Sequence, residues 1–175
     1  MSEEPITRTF LTFSLADESY AIDIHWVREV LAYQKVTRVP RAPDILSGVI
    51  NIRGKVIPVI DLRQNLRLGE SKTPGQSTSI IVLEINLEET LSMGIIVDDV
   101  HEVIEIENAQ IQSTQNIRNF QDTMVVKEIA KEDDNLIMIL DLEGLLDRDS
   151  LTVIAGYENE SHRESGHLTG STASV

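Results

Sequence analysis

Short apolar runs closed by turn residues dominate the middle of this chain, and they predict strands rather than long helices. Phe10-Leu11-Thr12-Phe13-Ser14-Leu15 alternates in part, Ala16 to Ser19 reads as a turn, and Tyr20-Ala21-Ile22-Asp23-Ile24 resumes the pattern. Together they predict a hairpin. Gly48-Val49-Ile50-Asn51-Ile52 and Lys55-Val56-Ile57-Pro58-Val59-Ile60 flank Arg53-Gly54 and predict a second hairpin, with glycine supplying a positive φ. Pro58 has no N–H to give a ladder, which places it on an edge or at a bulge.

Asp61 is set to cap a short helix through Leu62-Arg63-Gln64-Asn65-Leu66. The polar stretch from Leu68 to Ser77, with its Gly and Pro, reads as a loop. A second strand-rich region runs from Ser79 to Ile106, followed after a Gln- and Asn-rich passage by Met124-Val125-Val126 and Leu136-Ile137-Met138-Ile139-Leu140. Asp141 opens a last helix expected over 142–157, with a break near Asp147 to Ser150. Residues 1–9 and 158–175 carry almost no apolar content and are expected to be a flexible N-terminus and a disordered tail.

Two segments of the chain resemble each other. Val27-Arg28-Glu29-Val30 matches Val100-His101-Glu102-Val103 at an offset of 73, and Val56 to Leu62 matches Leu136 to Leu142 at an offset of 80. Short aliphatic runs match easily by chance, but both pairs occur in the same order. The simplest reading is two related barrels in one chain, with a groove where they meet.

Composition narrows the function. A net charge of −14 repels phosphate backbones and anionic lipids, so nucleic acid and membrane surfaces are poor partners. With no Cys, there are no disulfides, thiolate metal sites or Cys nucleophiles. His25, His101, His162 and His167 show no metal-binding spacing, and no phosphate-binding glycine loop or nucleophile elbow occurs. Asp98 and Asp99 are adjacent, so on a strand they point to opposite faces and cannot share acid–base work. An acid hydrolase built on them is the enzymatic rival, and nothing else in the sequence supports it. No cofactor is implied.

Three features suit binding. Arg53 sits at the tip of an apolar ribbon, either as a solvated turn arginine or as a contact. Val27 and Glu29 alternate on one strand, as a core valine beside a surface glutamate or as one binding face. Trp26, the only tryptophan, is either core or an interface anchor.

The run from Tyr20 to Arg63, and above all Gly48-Val49-Ile50-Asn51-Ile52-Arg53-Gly54 with Pro58 and Asp61-Leu62, resembles the CheW family of chemotaxis coupling proteins. The likeness extends more loosely through Ile95 to Val100 and Leu140-Asp141-Leu142, covering about Phe10 to Tyr157. It implies a mainly β fold of two SH3-like five-stranded barrels with short helices, one spanning roughly 10–70 and the other roughly 78–142, and a C-terminal helix. It also implies a non-catalytic, cytoplasmic adaptor, monomeric when free and recruited to membrane receptor arrays. The partners would be the hairpin tip of a chemoreceptor and the regulatory domain of the CheA histidine kinase. On this resemblance the receptor face would include Val27, Glu29, Gly48, Arg53, Ile80 and Val103, and kinase contacts would involve Val56, Pro58 and Ile117. A scaffold of a related pathway, such as twitching motility or surface sensing, would share these features.

Overall fold

The computed structural model describes residues 4–69, 73–86, 89–116, 125–145 and 152–158. Eleven strands among them form two curled sheets: β1 (Thr7–Leu15), β2 (Glu18–Asp23), β3 (Val27–Ala32), β4 (Gly48–Ile52), β5 (Lys55–Asp61), β6 (Ser79–Asn86), β7 (Thr90–Val97), β8 (Asp99–Glu107), β9 (Ile111–Ser113), β10 (Val126–Glu132) and β11 (Asn135–Leu140). Short helices α1 (Leu62–Asn65) and α2 (Leu142–Leu145) follow β5 and β11, and residues 152–158 form a further helix, α3. No helix among the described residues is long and apolar enough to cross a membrane.

The expected partition at residues 70–78 is not the partition of the sheets. One sheet has the order β8-β1-β2-β11-β10-β9 and the other β3-β6-β7-β5-β4. The opening hairpin of each half thus pairs with strands of the opposite half. The reason is register: β2 lies parallel to β11 through Ile139↔Ala21, and β7 lies parallel to β5 through Val59↔Gly94. Those two pairings are the same pairing under the offsets of 73 and 80. The duplication is therefore real in the backbone.

Side chains repeat it. Phe10, Ala21, Ala130, Ile137 and Ile139 fill the inside of one curled sheet, while Ile80, Ile50, Ile57 and Val59 fill the inside of the other around Gly94. Alternate residues of the same strands point outward into one shared cluster that includes Leu11, Phe13, Ile22, Ile60, Ile81, Leu83, Met93 and Ile95. Central strands are thus buried on both faces, which is why they read as nearly continuous apolar runs.

Several local expectations hold, each for a visible reason. The Asp61 side chain accepts from the Arg63 N–H at 3.0 Å and the Asp141 side chain from the Glu143 N–H at 3.2 Å, satisfying free amides at both helix starts. Pro58 departs from expectation, lying on neither an edge strand nor a bulge, because β5 runs between β7 and β4 with unbroken register to β4. Val49 exchanges both its backbone hydrogen bonds with Thr37, so the Val49↔Pro58 pair is the non-bonded kind and the proline nitrogen faces away from β4. On that side the registered pairs with β7 begin only at Val59.

The ends differ from expectation. Residues 7–9 belong to β1, because Thr7 pairs with Glu107 and Arg8 bridges to Glu128 at 2.9 Å. Glu158 ends α3 as a buried, ion-paired residue rather than opening a tail. The rest of the expected tail, 159–175, lies outside the described residues, as do the expected helix break at 147–150 and the expected flexible start at 1–3.

Two predictions follow from the packing. At Gly48 (φ +154) a Cβ would lie 2.2 Å from the Thr37 carbonyl oxygen, whereas at Gly54 (φ +83) it would meet nothing within 4 Å. Gly48→Ala should cost about 2 kcal/mol or more through strain and collision together, and Gly54→Ala about 1 kcal/mol through strain alone. Urea denaturation with unchanged m-values checks both. Tyr20 stacks on Phe13 with ring centroids 6.1 Å apart, and burial, then the Glu18 carboxylate, holds its phenol above the ordinary 10.0. The folded chain therefore keeps that proton longer than the unfolded chain does. The stability this carries is whole below pH 10 and drains as pH rises through the higher folded value. Tyr20→Phe should flatten the alkaline decline of unfolding free energy; an identical decline in the variant would place its cause elsewhere.

Candidate functional site

The hairpin β4–β5 is held at its tip by a side chain within it. The Asn51 Oδ1 accepts from the Gly54 N–H at 2.9 Å, closing a turn of the kind Asn favours. Within that turn Arg53 adopts a left-handed conformation (φ 51), and its guanidinium meets β3. There Arg53 Nη2 donates to Glu29 Oε2 at 2.6 Å. Glu29 lies just past a bulge, where β3 takes two steps from Val27 while β6 takes one from Leu83 to Val82. The corresponding segment of β8 carries its own bulge, three steps from Val100 to Val103 against two on β1. Bulges re-aim side chains, and this one precedes the glutamate that meets the hairpin tip.

The pair lines a depression of about 200 Å³ together with Arg28, Ile52, Lys55, Val82 and Ser92. The Arg53 side chain is 70% exposed and that of Glu29 23%. An ion pair this open contributes little to stability, so its charge is accessible to another molecule. Arg28 reaches Glu84 at 3.9 Å, and Lys55 is paired with Glu158 at 2.6 Å.

Of the residues named from the sequence, the structure unites Glu29 and Arg53. Val27 is half-buried against the shared cluster, beside Trp26, which packs there too. Val103 is 55% exposed on β8, in the other sheet and outside this depression. Gly48 and Ile80 present no surface. Gly48 is buried where the residue 37 carbonyl approaches, and Ile80 is wholly buried against Gly94. Val56 is half-buried on β5, Pro58 is buried, and Ile117 lies outside the described residues.

Sequence reasoning missed Asn51, Lys55, Ser92 and Glu158. Asn51, three residues before the glycine of a hairpin turn, was a readable signal. Glu158 was not, because it reaches Ser92 across 66 positions.

A larger concavity of about 870 Å³ lies between the Tyr33–Ser47 connection and residues 73–78. Its ionic group is structural. Asp98 Oδ2 accepts from Arg63 Nη1 at 3.0 Å and from the Ala16 N–H at 2.8 Å, tying the β1–β2 turn to α1. Asp99 is instead half-exposed, 3.9 Å from His101 Nε2. The two aspartates do not converge on a shared site.

Comparison with known proteins agrees with this architecture. The CheW-like domain family matches residues 9–150. The chemotaxis protein CheW of Bacillus subtilis is 33% identical over 140 residues, covering 80% of this chain and 87% of that protein. The chemotaxis protein CheW of Klebsiella aerogenes is 29% identical over 154 residues, covering 88% and 90%. Among solved structures, the scaffolding protein TtCheW from Thermoanaerobacter tengcongensis superposes with a TM-score of 0.71 at 38% identity, covering 83% of this chain and 96% of that one. With its duplicated, strand-exchanged sheets and its Asn-x-Arg-Gly hairpin, the chain belongs to the CheW-like family.

Proposed function

We propose that this chain is a non-catalytic, cytoplasmic scaffold of bacterial chemotaxis that couples chemoreceptors to the CheA histidine kinase. The observation that carries the reading is the Glu29–Arg53 pair, exposed and held by a turn built to present it. A charged pair that a hairpin turn holds at the surface is suited to recognition. Its better-buried Arg63–Asp98 pair serves a turn instead.

In this reading a helical receptor tip meets Glu29 and Arg53, with the exposed Val103 and the half-buried Val27 as apolar contacts. Gly48 and Ile80 shape the face from beneath. The kinase's regulatory domain meets the hairpin near Val56 and Pro58, and Ile117 contributes a further contact. Rim charges of this kind set register, partner choice and encounter rate more than raw affinity. Signalling then depends on how one contact alters the geometry of the other. The free chain is a monomer, and its recruitment to the membrane runs through the receptor.

Arg53→Glu should weaken binding to a receptor cytoplasmic fragment by about tenfold or more while leaving thermal stability and binding of the CheA regulatory domain unchanged. Unchanged receptor binding would remove the receptor from this face. A wild-type chain that retains neither partner in a pull-down would overturn the coupling role itself. Asn51→Ala keeps every charge but frees the tip, so titration calorimetry should place it between wild type and Arg53→Glu.

A further inference from the structure

Besides Arg53, two cations line the depression beside Glu29: Arg28, which reaches Glu84, and Lys55. Lys55 begins β5, directly after the Arg53-Gly54 turn, and lines the same hollow as Glu29 and Arg53. Its ammonium does not pair with Glu29. It reaches Glu158 Oε1 at 2.6 Å and donates to Ser92 Oγ at 3.3 Å. The other carboxylate oxygen of Glu158 accepts from the Ser92 N–H at 3.1 Å.

The place this carboxylate occupies is a consequence of the sheet. The registered parallel pairs of β5 and β7 begin at Val59↔Gly94, so the strands carry no registered pair at Lys55 and Ser92. The buried Ser92 N–H needs an acceptor there, and the lysine ammonium lies beside it. Glu158 supplies both oxygens from the end of α3, with its own side chain only 9% exposed and Ile154 of the same helix wholly buried in the shared cluster. Glu158 is thus anchored, and the lysine is anchored through it.

Lys55 has a long flexible stem and lines the same hollow as Glu29, the acceptor that Arg53 uses. We propose that Glu158 is a positioning residue of the Glu29–Arg53 site: by holding Lys55 it reserves Glu29 for Arg53, so that a partner meets one defined cation at the hairpin tip. The C-terminal helix is in this way part of the recognition face without touching the partner. The proposal rests on the receptor-facing reading of that site.

The test uses the full chain and a receptor cytoplasmic fragment, with dissociation constants measured beside thermal denaturation for wild type, Glu158→Gln and Glu158→Gln with Lys55→Met. Glutamine keeps an oxygen for the Ser92 N–H but loses the charge that holds the ammonium. Glu158→Gln should weaken receptor binding by about fivefold, and removing the freed lysine in the double variant should restore it. Wild-type affinity in Glu158→Gln would overturn the proposal. So would a double variant as weak as the single one, because that would make Glu158 a purely structural support. Arg53→Glu run alongside separates the two levels: if it too binds as wild type, the receptor reading falls and this inference falls with it.

Discussion

Between the two curled sheets lies an apolar layer to which both contribute, and every other feature of the molecule is arranged around it. Leu11, Phe13 and Ile22 enter it from one side, and Ile81, Leu83, Met93 and Ile95 from the other, all buried. Truncating any one of them removes contacts from both sheets at once, at a cost of about 2–5 kcal/mol. The hairpin exchange reinforces this dependence. β1 and β2 complete the sheet of β8, β10 and β11, while β6 and β7 complete that of β3, β4 and β5. Neither half of the chain completes a sheet from its own strands, because β1–β8, β2–β11, β3–β6 and β5–β7 all pair across the halves.

The same constraint explains where small residues are needed. Where the parallel strands meet, the inside of each curled sheet has room for little side chain. The corresponding positions are Ala21 and Gly94, paired with Ile139 and Val59. A Cβ at residue 94 would already press on Ile80 at 2.9 Å. With the inside closed and the outside committed to the shared layer, recognition is left to edges and turns.

There the two copies have diverged. Arg53 and Asp133 occupy matching places at the tips of the β4–β5 and β10–β11 hairpins, with φ of 51 and 52. The backbone is duplicated while the charge is inverted. Glu29 has its counterpart in Glu102, but the arginine that pairs with it has none. The Glu29–Arg53 pair therefore belongs to one sheet, in the depression that Lys55 also lines. Its contribution to stability is small because water screens it, and for that reason its geometry has to be set by neighbours: the Asn51 turn on one side and the end of α3 on the other.

Strand order within each hairpin, the caps at Asp61 and Asp141, the turn at Arg53-Gly54 and the repeat itself are local patterns, and local patterns are what a sequence states directly. Alternation, a side-chain oxygen before a helix and a glycine after an arginine act over a few residues. Partition was another matter. Which hairpin joins which sheet depends on long-range parallel pairing, and a repeat read along the chain suggests two consecutive barrels instead. Exposure is likewise decided in three dimensions. Ile80 and Val103 are both aliphatic residues in strand patterns, yet one is sealed against Gly94 and the other stands in solvent on β8. Lys55 and Glu158 carry no local signal at all, because their meeting needs β5 and β7 to separate and α3 to return across the chain. The sequence by itself determined the strands, the turns and the duplicated plan, since these rest on short-range sterics and hydrogen bonding. Only the tertiary structure decided the exchanged sheets, the buried and exposed members of the site and the partner of each charge, since these depend on what remote segments bring to the same place.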